Sequence, residues 1–191
     1  MSIRLVIMGP QGSGKGTQAA RISEHFGIPA ISTGDIFRDN IARGTELGKR
    51  AQEYTCCGEL APDEVTNQMV RARLGLTDAA EGFILDGYPR NAAQVAELDT
   101  ILGDLGTHLD AVVQLTADRD ELLARMRRRA EIEGRDDDTA DVIARRLDIY
   151  EAETAPLAAA YAARSLLVPV DGTGEIDEVT ERVLGALGSR V

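Results

Sequence analysis

The sequence of 191 residues is poor in the side chains that usually build zinc sites, catalytic triads and base-stacking surfaces. It contains no tryptophan and only 4% aromatic residues, which leaves little surface for stacking single-stranded bases. Its two cysteines, Cys56 and Cys57, are adjacent, and its only histidines are His25 and His108. These residues cannot form a four-ligand zinc site, and the sequence offers no Ser-His-Asp arrangement. We therefore expect neither structural zinc nor a serine nucleophile.

Long apolar runs and an excess of positive charge are also missing. No run approaches the ~18 residues that a membrane span needs, and the chain enters a strand pattern directly instead of a signal peptide. We therefore expect a cytoplasmic protein with no membrane partner. The 21 Lys+Arg and 32 Asp+Glu residues give a formal net charge of −11, which argues against a nucleic-acid partner because duplex phosphates would be repelled. A hydrophobic content of 43% is sufficient for the core of one domain.

The most informative segment present is GPQGSGKGT at residues 9–17, which directly follows the apolar run at residues 3–8. Glycines in a strand-to-helix turn let backbone N–H groups converge on one anion, and the helix N-terminus adds a partial positive charge. Lys15 can then reach the phosphates of a nucleoside triphosphate. The general pattern places a hydroxyl directly after the lysine, whereas here Gly16 intervenes and the hydroxyl belongs to Thr17. The segment predicts a phosphate-binding loop; the alternative is a glycine-rich turn without a ligand.

Apolar runs alternate with helical patterns along the rest of the chain. Further short strands are predicted at residues 30–32, 82–86, 110–115 and 166–170, with helices at roughly 17–26, 35–43 and 47–54 and another that opens at 62–64. Alternation of this kind predicts a parallel sheet covered on both faces, with ligands beyond the carboxyl ends of the strands. Pro169 places the last strand at an edge or a strand end.

Two more segments follow predicted strands and carry candidate phosphate ligands. In STGDIFR, Ser32 or Thr33 can cap a helix, and Arg38 lies one turn further along. In DGYPR, Asp86 at a strand end beside a phosphate loop is typical of a residue that supports Mg²⁺. The turn that follows would direct Arg90 across the sheet; the alternative is a turn with a surface arginine.

Arginines are concentrated in one region of this acidic chain, on both sides of a polar segment at residues 131–138. They are Arg125, Arg127, Arg128, Arg129, Arg135, Arg145 and Arg146. Such a run can be a solvated face, but arginines flanking a mobile polar loop also suit phosphoryl transfer, which needs charge neutralisation and exclusion of water. An acceptor that is itself a phosphate needs no general base. The inventory therefore favours a kinase with a phosphate acceptor.

Four ordered motifs, GxxGxGKGT (9–17), STGD (32–35), DGYPR (86–90) and GRxDD (134–138), resemble the adenylate kinase family of nucleoside monophosphate kinases over essentially the whole chain. The resemblance implies an α/β P-loop three-layer fold with a five-stranded parallel sheet, a helical AMP-binding insert and a short lid. It implies a core of residues 1–31, 62–127 and 139–191, an insert at 32–61 and a lid at 128–138. The implied activity is reversible phosphoryl transfer from ATP, with Mg²⁺, to AMP, giving two ADP and serving adenine nucleotide homeostasis. A monomer is implied, and the short lid implies no zinc.

The resemblance also implies roles for individual residues. The catalytic group would be Lys15, Arg90, Arg129, Arg135 and Arg146. The ATP-binding group would be Gly12, Ser13, Gly14, Lys15, Gly16, Thr17, Arg125, Arg129 and Gly174. The AMP-binding group would be Thr33, Arg38, Glu59, Leu60, Ala61, Gly87, Tyr88, Pro89, Arg90, Gln94, Arg135 and Arg146. Asp86 would hold Mg²⁺ through water.

Base choice depends on two of these positions. Thr33 and Gln94 match the adenine-reading positions, and a glutamine amide can pair with an adenine edge through a donor and an acceptor. Kinases that prefer UMP or CMP typically carry Ala and Asn there, so AMP is favoured. The alternatives are a UMP/CMP kinase, or another small P-loop kinase acting on an alcohol such as shikimate, for which Asp35 is the obvious base. A third is an adenine-nucleotide sensor without turnover.

Overall fold

The computed structural model describes residues 2–55, 59–133 and 139–188, with the side chains of 55 and 129–133 outside the description. Strands and helices alternate in that part of the chain. The strands are β1 (Ile3–Met8), β2 (Ala30–Ser32), β3 (Gly82–Asp86), β4 (Ala111–Thr116) and β5 (Leu167–Asp171). The helices are α1 (Lys15–Phe26), α2 (Thr33–Ala42), α3 (Glu46–Thr55), α4 (Asp63–Leu74), α5 (Ala92–Asp104), α6 (Arg119–Glu133), α7 (Ala140–Ile149), α8 (Leu157–Ala163) and α9 (Ile176–Gly188). A π-helical turn at Tyr150–Thr154 continues α7.

The strands form a parallel sheet in the order β2-β3-β1-β4-β5. Successive residues of a strand point to opposite faces, so Val6 of β1 belongs to one core cluster while Leu5 and Ile7 belong to another. Helices cover both faces, and this burial explains why β1, β3 and β4 are continuous apolar runs. The predicted α/β fold with a five-stranded parallel sheet is confirmed.

The register of the sheet brings two of the predicted motifs together. Ile7 pairs with Asp86, so β1 and β3 end side by side at the same edge of the sheet. The loop at residues 9–14 and the segment at 87–91 therefore start from neighbouring points. This arrangement follows from parallel pairing, because the carboxyl ends of neighbouring parallel strands meet at one edge.

Element boundaries differ from the sequence predictions by a few residues. The predicted first helix started at 17, but α1 begins at Lys15 because Gly14, in the left-handed region, serves as its N-cap. The helix predicted from 35 begins at Thr33, since the Ser32 hydroxyl accepts the Asp35 N–H at 3.2 Å and thereby caps it. Pro169 lies in the edge strand β5, as predicted.

Two smaller apolar clusters form apart from the main core. Phe37, Ala51, Ala61 and Val65 pack between the segment at 33–61 and the start of α4. Leu122, Met126, Ile143 and Leu147 join α6 to α7. The segment at 33–61 and the α6–α7 pair thus each contain an apolar cluster separate from the main core. Within the described residues, no helix combines the length and apolar composition needed to cross a membrane.

Replacement of Leu102 in α5 by alanine tests the main core. Leu102 is 2% exposed, so L102A removes buried methyl groups and should lower the free energy of unfolding by about 2–5 kcal/mol. Leu105, at the end of the same helix and 49% exposed, provides the matched control, and L105A should cost no more than about 0.5 kcal/mol. Urea unfolding of both variants gives the comparison, and equal losses would contradict the assigned core.

Candidate active site

The loop between β1 and α1 has a conformation that requires glycine at two positions. Gly12 has φ 83°, and a Cβ there would lie 2.9 Å from the Leu122 carbonyl oxygen and 3.0 Å from Met126 Cγ. Gly14 has φ 91° and ends the loop. The loop is thus packed against α6 on one side and opens into a helix N-terminus on the other. Such an N-terminus presents unpaired N–H groups and favours an anion.

Lys15 is folded back over this loop. Its Nζ donates to the Pro10 carbonyl oxygen at 2.9 Å, and the side chain is half-buried. Ser13 is buried, and its hydroxyl has no hydrogen-bond partner among the described residues. A buried unpaired hydroxyl is costly unless something binds it. The loop therefore has the polar groups, and the spare bonding capacity, of a phosphate cradle.

Asp86 ends β3 next to the loop and is the candidate magnesium ligand. Its Oδ2 would lie 3.8 Å from a Cβ at Gly16, so the carboxylate faces the start of α1. No group of three or more acidic, histidine or cysteine side chains placed to hold a metal occurs among the described residues. A single carboxylate nevertheless suits Mg²⁺, which in nucleotide sites usually keeps several waters and takes further ligands from phosphates. The residues present therefore fit a nucleotide-bound magnesium ion.

Arg90 is fixed at three of its atoms. Its Nε donates to the Gly87 carbonyl oxygen at 2.8 Å, and its backbone N–H donates to Gln94 Oε1 at 2.8 Å. Its carbonyl oxygen accepts the Thr154 hydroxyl at 2.7 Å. The guanidinium therefore occupies a defined position near the carboxyl end of β3.

The surroundings of Arg90 disfavour its charged form. Burial lowers the pKa of Arg90, the charges of Arg146 and Arg38 lower it further, and Asp86 opposes them. An arginine remains protonated even so. Arg146 and Arg38 thus lie close enough to Arg90 for their charges to act on it, together with the opposite charge of Asp86.

The two predicted base readers are buried and tied to the segment that carries Arg90. Thr33 donates its hydroxyl to the Gly87 carbonyl oxygen at 3.0 Å. Gln94, besides accepting from Arg90, donates Nε2 to Asp63 Oδ1 at 2.7 Å. Asp63 also accepts from the Asn91 amide at 3.0 Å. The sequence suggested Asp63 only as a helix-starting acid, and its contact with Gln94 has no local signal.

The remaining predicted AMP ligands lie on and around the segment at 33–61. Arg38 forms an ion pair with Asp35. Glu59 Oε1 accepts a hydrogen bond from Arg145 Nε at 2.8 Å. This contact joins the segment at 33–61 to α7. Leu60 lines the cleft described below, and Ala61 packs in the Phe37 cluster.

On the opposite side, Arg125 connects α6 to the loop after β5. Its guanidinium donates to Glu121 at 2.8 Å and to the Gly172 carbonyl oxygen at 3.0 Å. Gly174, with φ 104°, lies in the same loop. Arg182 donates to the Thr173 carbonyl oxygen at 2.6 Å and so holds the loop in place. Arg125 and Gly174, both predicted near ATP, are thus brought to one part of the molecule.

A cleft opens at the carboxyl ends of β1 and β3, bounded by the phosphate-loop segment, the segment at 87–90 and the end of α7. Of the predicted residues, its lining includes Lys15, Leu60, Gly87, Tyr88, Pro89, Arg90 and Arg146. It also includes Gln11, Tyr150 and Thr154, which the sequence analysis missed. Burial raises the pKa of Tyr150, and a hydrogen bond with Gln114 opposes the change. The helical pattern around Tyr150 gives no sign of a π-helical turn, so this contribution could not be found from sequence.

Several predictions fall outside the described residues. They are Arg135, the side chain of Arg129, Cys56, Cys57 and residues 134–138 of the predicted lid. Gly16 and Thr17 are described and lie exposed at the start of α1, beside the loop.

A glycine-rich loop between a central parallel strand and a helix, with a lysine and arginines around one cleft, defines the class of P-loop phosphotransferases. The sequence profile of the adenylate kinase family matches residues 7–166. The chain is 60% identical over 184 residues to an adenylate kinase of Kocuria rhizophila, covering 96% of this chain and 98% of that protein. It is 60% identical over 185 residues to one of Bifidobacterium longum, covering 97% and 100%. The chain belongs to the adenylate kinase family, and the predicted family and enzyme class are confirmed.

Substitution of Gly12 by alanine tests the loop geometry. G12A should force the loop away from Leu122 and Met126, and should weaken binding of a non-hydrolysable ATP analogue at least about tenfold, the scale of one lost charge-assisted hydrogen bond. Isothermal titration calorimetry measures the change.

Gly106, with φ 67° and open space around a Cβ, is the control for backbone strain alone. Both variants should lose about 1–2 kcal/mol of unfolding free energy because of their positive φ, but G106A should bind the analogue normally. Normal nucleotide binding by G12A would show that the loop is not the phosphate cradle.

Proposed function

We propose that this cleft is where the chain reversibly transfers the terminal phosphoryl group of ATP to AMP, giving two ADP. The observation that carries the proposal is the shared cleft of Lys15, Arg90 and Arg146, at the edge of the sheet where β1 and β3 end. Phosphoryl transfer needs positive charge around the oxygens of the transferred group and little covalent chemistry from the protein. Three cations beside a phosphate loop supply that charge.

The loop at residues 12–17 binds the ATP phosphates. Its backbone N–H groups and the N-terminus of α1 hold the β-phosphate, and Lys15 exchanges the Pro10 carbonyl for phosphate oxygens. Asp86 would hold Mg²⁺ through water, and the bound ion would supply positive charge for phosphoryl transfer. Arg125 and the loop at Gly174 lie beside the adenine of ATP. The exposed position of Thr17 leaves its hydroxyl accessible to the phosphates.

The segment at 87–90, with Arg38 and Thr33, binds AMP. The AMP phosphate takes the place between the guanidinium groups of Arg38 and Arg90, whose charges act on each other. Gln94 and Thr33 read the adenine. Because the attacking group is a phosphate oxyanion, no side chain has to remove a proton, and the scarcity of histidine is consistent with this chemistry.

Residues 32–61 and 128–138 are the two segments that close, the first over AMP and the second over ATP. Arg129 and Arg135 would add charge from the lid, and Arg146 would bridge donor and acceptor. Closure excludes water and strengthens each electrostatic contact, which is the usual contribution of lids in this chemistry.

A cytoplasmic monomer with ATP and AMP as its small-molecule partners completes the proposal. The exposed large apolar side chains of the described residues, Leu76, Leu105 and Ile176, lie in three separate segments. Scattered apolar residues of this kind give no extended interface for a second copy. The acidic net charge supports the absence of a nucleic-acid partner.

An acceptor panel tests the proposal. ADP formation from ATP and Mg²⁺ is measured with AMP, UMP, CMP, GMP or no acceptor. We expect turnover with AMP and at most a small fraction of that rate with the others. A preference for UMP or CMP would retain the chemistry and overturn the roles of Thr33 and Gln94. ATP binding without turnover of any acceptor would overturn the proposed reaction.

Lys15→Met and Arg90→Ala test the charges. Each should lower kcat by at least about a hundredfold, the scale found for single groups that stabilise transition-state charge. Arg21→Ala is the control. It breaks an exposed ion pair between Arg21 of α1 and Asp177 of α9 and should retain full activity. Near-normal kcat in either site variant, with an unchanged circular dichroism spectrum, would refute the role of that residue.

A further inference from the structure

The π-helical turn at Tyr150–Thr154 brings residues from the end of α7 into the cleft. The Ala155 N–H donates to the Tyr150 carbonyl oxygen at 2.8 Å, five residues back, which widens the helix by one residue. Turns of this kind are frequent at functional sites. Both Tyr150 and Thr154 line the cleft as a result. The turn also follows directly from the helix that carries Arg146.

Thr154 makes a long-range contact with Arg90. Its side chain is 6% exposed, and its hydroxyl donates to the Arg90 carbonyl oxygen at 2.7 Å across 64 residues of sequence. A helical threonine hydroxyl commonly bonds a carbonyl of its own preceding turn instead. In this structure it fixes the backbone of a residue on another element.

The hydrogen bond from Thr154 restrains the backbone of Arg90, whose side chain belongs to the proposed site. Gln94 holds the Arg90 N–H and Thr154 holds its carbonyl, so the peptide groups on both sides of Arg90 Cα are fixed. The guanidinium is close enough to Arg146 for that charge to lower the pKa of Arg90. Thr154, on the continuation of α7, sets the position of Arg90 relative to the helix that carries Arg146.

We propose that Thr154 is a positioning residue for phosphoryl transfer, which acts by holding the Arg90 backbone in register with α7. The inference rests on the proposed role of Arg90. Thr154 itself contacts no reacting atom. Loss of its hydroxyl leaves the protein folded but lets the Arg90 guanidinium move away from the position that the transferred group requires. A displacement of about an ångström at such a group is enough to lower the rate substantially.

Thr154→Val tests this inference, because valine keeps the shape and removes the donor. We expect kcat to fall about tenfold, the scale of one buried carbonyl left unsatisfied, while KM for ATP changes less than twofold. Thr154→Ser restores the hydroxyl and should recover kcat to within twofold of the wild type. Thr66→Val is the matched control, since Thr66 is also 6% exposed and its hydroxyl donates to the Pro62 carbonyl oxygen at 3.3 Å, within its own helix start. T66V should leave kcat unchanged.

A double-mutant cycle separates positioning from general destabilisation. If Thr154 acts through Arg90, T154V should add no further loss of kcat in the Arg90→Ala background. Equal losses in both backgrounds, or a T66V loss as large as that of T154V, would overturn the proposal. If T154V does not fold, Thr154→Ala replaces it in the same cycle with the same expectations.

Turnover of the wild-type protein distinguishes failure of the proposed function from failure of the role proposed for Thr154. Absence of turnover with AMP in the wild-type protein defeats the proposed function and this inference with it. Normal wild-type turnover together with normal kcat in T154V defeats only the role of Thr154.

Discussion

The fixed position of Arg90 at the end of β3 is the constraint on which the proposed site depends. Arg90 is close enough to Arg146 and Arg38 for their charges to lower its pKa, although the three come from different elements. Holding cations close together costs free energy, part of which is offset by Asp86 and by the Asp35 partner of Arg38. The fold meets that cost with a packed sheet and with neutral carbonyl partners such as that of Gly87. Carbonyl partners orient a guanidinium without neutralising it, so the charge remains available to phosphate.

A backbone carbonyl also orients Lys15. Its ammonium group lies on the Pro10 carbonyl of its own loop, a neutral partner that a phosphate oxygen can replace. Other arginines of the chain are paired with carboxylates. Arg145 pairs with Glu59, and Arg71 pairs with Glu97 and Asp104. Exposed pairs of this type contribute about 1 kcal/mol or less. The Glu59 pair can therefore break at little cost in the closure proposed for the segment at 33–61.

Much of the site could be predicted because its signals are local. The strand-loop-helix pattern at residues 3–17 fixes the phosphate loop, and Asp86 follows an apolar run that has to be a buried strand. Parallel pairing then puts both at one edge of the sheet, as the Ile7–Asp86 register shows. The individual ligand assignments remain predictions, and Arg135 and the Arg129 side chain lie outside the described residues.

The sequence by itself determined the parallel α/β architecture, the edge position of Pro169 and the family, because periodicity, turn residues and short motifs are properties of neighbouring positions. Only the tertiary structure decided that Thr154 holds Arg90, that Asp63 holds Gln94 and that Glu59 meets Arg145, across 64, 31 and 86 residues. Each of these contacts joins side chains whose own segments give no sign of the partner. Their geometry is set by the packing of whole helices around the sheet, which brings distant polar groups within hydrogen-bonding distance.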